Sequence, residues 1–107
     1  MATTRCQMLK VLDELLEPGR FRDYAPNGLQ VEGRDLIANV VSGVTASQAL
    51  LDAAVAAGAD AVLVHHGYFW KSENPCLVGM KGRRIRTLME AGTVSYTHLT
   101  LPTNREV

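Results

Sequence analysis

From Thr4 onward, Met8, Val11, Leu12 and Leu15 recur at i, i+3, i+4 and i+7, the period of one helix face. Thr4 and Gln7 have capping-box spacing, and Pro18-Gly19 closes the predicted element. In the next stretch, Pro26-Asn27-Gly28 is turn chemistry and Leu29-Gln30-Val31 opens a short strand. Asn39 to Val44 is β-branched and mostly apolar, which predicts a buried strand. Thr45 and Gln48 repeat the capping-box spacing. Leu50, Leu51, Ala54 and Val55 then form the apolar face of a second helix, with Gly58 at its end. Asp60 to Val64 is the next strand. Ile85, Leu88 and Met89 mark a third helix from about Lys81 to Ala91, closed by Gly92. Strand, helix, strand is a βαβ unit with a right-handed crossover, so the predicted class is α/β: a mostly parallel sheet with flanking helices.

That order gives His65 and His66 a position. They follow Ala61-Val62-Leu63-Val64 at the carboxyl end of a strand, the edge where open α/β sheets gather ligands. In a continuing strand their side chains point to opposite faces, so one shared site requires the backbone to leave β geometry, which Gly67 permits. Adjacent imidazoles chelate a single ion awkwardly. They suit two ions about 3.5–4 Å apart, one imidazole to each, with carboxylates to bridge them. The doublet alone leaves packing and acid–base roles open.

Composition narrows the class. With 47% hydrophobic and 21% charged residues in 107, the chain has the makeup of one globular domain rather than a disordered segment. Eleven basic and eleven acidic residues cancel, which argues against a nucleic-acid partner bound through bulk charge. No apolar run approaches the ~20 residues of a membrane span. Cys6 and Cys76 fit neither a CxxC motif nor a disulfide framework and read as reduced thiols of a cytoplasmic protein.

Three stretches, DYAPNGLQVEG (23–33), SGVTASQALLDAAVAAGADAVLVHHGYFWKSE (42–73) and MKGRRIRTL (80–88), resemble the bacterial branch of the GTP cyclohydrolase I type 2 homologue family, the dinuclear-metal-centre proteins. The resemblance runs from about Arg5 to Thr93. It implies a site for two divalent ions of the Zn, Fe, Mn or Co type, with His65 and His66 each giving one nitrogen to a different ion. It also implies an aspartate ligand soon after the third helix, a His/Glu pair near the family's C-terminus, and self-association, commonly as a hexameric ring. The activity implied by the family name is metal-dependent hydrolysis, with opening of the imidazole ring of a nucleotide such as GTP. The alternative is a non-enzymatic metal-binding or assembly protein.

The chain departs from that pattern after the third helix. No aspartate follows Asp60, and the only later acids are Glu73, Glu90 and Glu106. Val94 to Thr103 resembles the translation of a transposon-end sequencing adapter. The expected organisation is therefore 1–93 as the N-terminal portion of the metal-centre domain and 94–107 as a non-native tail, with His98 excluded as a ligand. Two imidazoles without carboxylates hold divalent ions poorly, and a sheet lacking later strands leaves an edge and a face bare. The chain as written is expected to bind metal weakly, aggregate and lack activity. Tyr68-Phe69-Trp70 reads as packing, with stacking on a purine as the other reading. Lys81, Arg83, Arg84 and Arg86 read as a solvated helix face, with triphosphate binding as the other. Asn27 and Gly28 read as turn residues. Asp60 begins its strand, at the wrong end for the metal.

Overall fold

The computed structural model describes residues 2–17, 28–68 and 75–98. Strand β1 (Thr3–Thr4) leads directly into helix α1 (Arg5–Leu16). The capping box forms as its spacing predicts: the Gln7 N–H donates to Thr4 Oγ1 at 3.1 Å, and the Thr4 N–H donates to Gln7 Oε1 at 3.2 Å. Glu17 ends the helix in the left-handed region, its N–H returning to the Asp13 carbonyl. The Pro18-Gly19 stop and the Pro26-Asn27 turn lie outside the described residues.

Strands β2 (Gly28–Val31), β3 (Leu36–Ile37) and β4 (Val40–Thr45) follow, then helix α2 (Gln48–Ala56) and strand β5 (Ala61–His66). Helix α3 (Gly79–Ala91) and strand β6 (Val94–Thr97) complete the described fold. The main sheet has the order β2-β6-β5-β4, with β4, β5 and β6 parallel and β2 antiparallel to β6. β1 and β3 form a separate antiparallel pair that the sequence pattern did not predict. Gly92, in the left-handed conformation at φ 67°, closes α3 as expected and turns the chain into β6.

The ladder register sorts side chains onto two faces, because paired residues of neighbouring strands share a face. Val62 and Val64 face α2 and α3, where they pack with Leu51, Ala54, Ile85 and Leu88 in the main core. Leu51 and Leu88 are fully buried, and each contributes about 1.5–3 kcal/mol by leaving water. The Gln48 amide of α2 donates to Thr87 Oγ1 of α3 at 2.8 Å. The opposite face carries Ala61 and Val94, which pack with Ile37 and Met8 in a smaller cluster beneath α1.

Several expectations need correction. The strand expected over 39–44 exists, but it is not buried: β4 is the outermost strand, α2 covers one side only, and Val40 and Val44 are 52% and 67% exposed. The second helix is capped by Ser47, whose Oγ accepts from the Leu50 N–H at 3.2 Å, rather than by Thr45. Thr45 still pairs with His66, and the Ala46 N–H bonds the His66 carbonyl, so the chain cannot turn into a helix before residue 47. The apolar face expected on α1 is only half used. Met8 and Leu12 lean on the sheet, while Val11 and Leu15 are 61% and 67% exposed because nothing described packs over them. α3 starts two residues before the expected Lys81.

Candidate metal centre

β5 continues through both histidines, so the expected departure from β geometry does not occur. Gly67 is not among the glycines with positive φ. Ladder alternation places His66 with Thr45 on the α2/α3 side and His65 on the α1 side. The rings nevertheless approach to 4.5 Å between centroids, edge to face at 67°.

His65 is oriented by the backbone of the adjacent strand. Its Nδ1 lies 3.0 Å from the His98 carbonyl oxygen. A carbonyl only accepts, so Nδ1 carries the proton, and in the neutral ring Nε2 keeps its lone pair. Metal-binding histidines are commonly arranged this way, with the second ring nitrogen bonded to a carbonyl or carboxylate. The donor chemistry therefore fits a divalent ion at His65 Nε2. It supplies only part of a donor set: among the described residues, no group of three or more His, Cys, Asp or Glu side chains stands close enough to hold an ion.

Beside His65 opens a groove of about 360 Å³ between the end of α1 and the sheet, lined by Leu16, Ser42, Val44, Leu63, His65 and His98. Its walls are mainly hydrocarbon. His98 is buried, and its contribution to His65 comes through its backbone. No side-chain signal in the sequence could have announced that contact, because every residue carries a carbonyl.

The remaining sequence candidates separate clearly. Tyr68 packs in the main core and its hydroxyl shares a 2.9 Å hydrogen bond with Ser95 Oγ, in accord with the packing reading; burial pushes its phenol up. Phe69 and Trp70 lie outside the described residues. On α3, Arg86 pairs with Glu90 at 2.7 Å on the exposed side and Arg83 is exposed, as a solvated face requires, whereas Lys81 and Arg84 are half-buried, so the expected face is solvated only in part. Gly28 is the first residue of β2, and Asn27 lies outside the described residues. Asp60 sits just before β5, at the amino edge away from the histidines. The Ala38 and Asn39 N–H groups donate to its Oδ2 at 2.8 and 3.0 Å, and Arg34 meets Oδ1 at 2.7 Å. Those backbone donors first, and Arg34 after them, hold its carboxyl below the ordinary value, against the opposing effect of burial.

Comparison with known proteins identifies the family of the fold. A "GTP cyclohydrolase 1 type 2 homolog" from Pseudomonas aeruginosa is 57% identical over 109 residues, an alignment covering 100% of this chain and 43% of the relative. The chain thus spans about two fifths of that relative's length. The solved structure titled "Structural genomics, protein ybgI, unknown function" superimposes with a TM-score of 0.85 at 50% identity, covering 90% of this chain and 39% of that one. The protein TTHA1606 from Thermus thermophilus gives 0.84 at 35% identity, covering 90% and 40%. A family model described as Duf34/NIF3 (NGG1p interacting factor 3) matches residues 3–105. With the sheet, the order of its elements and most of its length shared, this chain belongs to the Duf34/NIF3 family.

Proposed function

We propose that His65 and His66 are the first two protein ligands of a site for two divalent cations, completed in a full-length protein by carboxylates beyond the described residues. The observation that carries this reading is the bond from His65 Nδ1 to the His98 carbonyl, which leaves Nε2 unprotonated and directed by the fold. The 4.5 Å approach of the two rings supports it, since two ions that share a bridging ligand need their donors this close together. Bound divalent ions supply Lewis acidity, bringing proton loss from a water toward neutral pH. The chain's own contribution is to hold two imidazoles at the sheet rim and to provide an apolar groove beside one of them, where a ring-shaped substrate body sheds water. The name carried by the relatives mentions GTP; on this reading the substrate is such a nucleotide and the reaction hydrolytic opening of its imidazole ring, in the cytoplasm.

A second reading is a metal-binding assembly protein without turnover. Val40 and Val44 favour it, because exposed valines along the outer strand β4 mark a surface suited to another chain. The deciding experiment uses the chain extended to the length of its relatives and follows GTP with and without chelator, alongside a His65→Ala/His66→Ala double variant. Turnover lost on chelation and in the double variant supports the hydrolase. Metal-dependent assembly without turnover supports the second reading. Protein that purifies metal-free from metal-replete growth sinks both.

A further inference from the structure

The loop after the histidines begins with a glycine whose role is spatial. Gly67 is buried, and a Cβ at this position would lie 2.5 Å from Thr97 Oγ1, 3.0 Å from its Cγ2 and 3.2 Å from its Cβ. Contacts that short force one strand away from the other. Thr97 pairs with Val64 at the last rung of the β5–β6 ladder, and the His98 N–H donates to the Val64 carbonyl at 3.0 Å. The same His98 then turns its own carbonyl to His65 Nδ1. A side chain at residue 67 would wedge against the residue immediately before the one that orients His65.

We propose that Gly67 is a positioning residue for the histidine pair: by lacking a side chain it lets the end of β5 seat against Thr97, which delivers the His98 carbonyl to His65 and fixes that ring's tautomer. This deepens the metal reading given above, but its first readout requires no metal.

The test compares the 107-residue chain with Gly67→Ala, Thr97→Ala and the double variant, below the onset of self-association and at a pH where imidazole is neutral. Imidazole nitrogen NMR reads the tautomer, and circular dichroism reads the fold. Wild type and Thr97→Ala show His65 protonated on Nδ1. Gly67→Ala loses that signature and moves toward the Nε2-protonated form that free imidazole side chains favour in water. The double variant, with the obstructing atoms trimmed, regains it. A folded Gly67→Ala chain that keeps the wild-type His65 signature overturns the proposal. So does a folded double variant that fails to recover it, which holds the proposal to account even where Gly67→Ala alone unfolds. Zinc titration of the same substitutions made in the chain extended to the length of its relatives, where the proposed carboxylates are present, separates this inference from the one beneath it. Affinity falling roughly tenfold in Gly67→Ala and returning in the double variant supports both, whereas no uptake by wild type overturns the metal reading and leaves the tautomer result to stand or fall by itself.

Discussion

Thr97 is 1% exposed, and its hydroxyl has no hydrogen-bond partner among the described residues. A buried donor left unsatisfied costs about 1–3 kcal/mol, so this side chain opposes the strand that carries it. Ser95, two residues earlier on the same face, shows the contrast: its hydroxyl meets Tyr68. Thr97→Val keeps the branched shape against Gly67 and removes the orphaned group. It is expected to raise the unfolding free energy by about 1 kcal/mol, read as a higher urea midpoint at unchanged slope; an unchanged or lower midpoint contradicts this account of Thr97. His65 illustrates the reverse case, a polar ring whose orientation is stabilised by one backbone carbonyl.

At the scale of elements, two polar knots stand out among those that join segments far apart in sequence. Tyr96 on β6 donates to Asp13 on α1 at 2.8 Å, with burial first and then Asp13 pushing its phenol far up. Arg34, after β2, reaches Asp60 and the carbonyls of Gly92 and Ala91, tying the β2–β3 segment to the start of β5 and the end of α3. Asp60 makes this second knot pH-dependent. Its folded carboxyl titrates below the ordinary value of 3.8, so the unfolded chain takes up the proton first. The contribution is complete above the unfolded value and is lost as pH falls through the lower folded one. Asp60→Asn is expected to cost about 2 kcal/mol near neutrality and to flatten the loss of stability as pH falls below the ordinary carboxylate value of 3.8, measured by urea unfolding from neutral pH down the acid limb. An equally steep acid limb in the variant would assign the effect to another group.

The whole molecule is unevenly covered. α2 and α3 close one face of the sheet, whereas α1 shields the other only in part and β4 presents an outer edge. Leu36, Val40 and Val44 are each more than half exposed, as are Val11 and Leu15 on α1. An apolar edge strand with unpaired backbone groups is a template for another chain. The 107-residue chain is therefore expected to self-associate with rising concentration in sedimentation velocity, and Val40→Lys to shift that onset to higher concentration. A monomer throughout the accessible range would contradict this reading of the surface. The chain covers 43% of the Pseudomonas aeruginosa relative, and carboxylate ligands for the proposed centre belong, on that reading, to sequence of the longer proteins.

Local sequence determined the elements that depend on nearest neighbours: the Thr4/Gln7 capping box, the α3 terminus at Gly92, the βαβ order and the placement of His65 and His66 at the sheet's carboxyl rim. Each rests on contacts within a turn or on simple periodicity, and so was legible without coordinates. Residues 94–97, at the start of the segment expected to be a non-native tail, form the strand between β2 and β5 inside the sheet. Their β-branched and aromatic pattern, Val-Ser-Tyr-Thr, was the available sign of it. What tertiary structure alone decided was long-range: which strand lies at the edge, which half of α1 stays wet, which serine caps α2, and which carbonyl orients His65. Strand order and backbone hydrogen bonding between distant segments leave no mark on local composition, because any residue can offer the same carbonyl and nearly any the same amide.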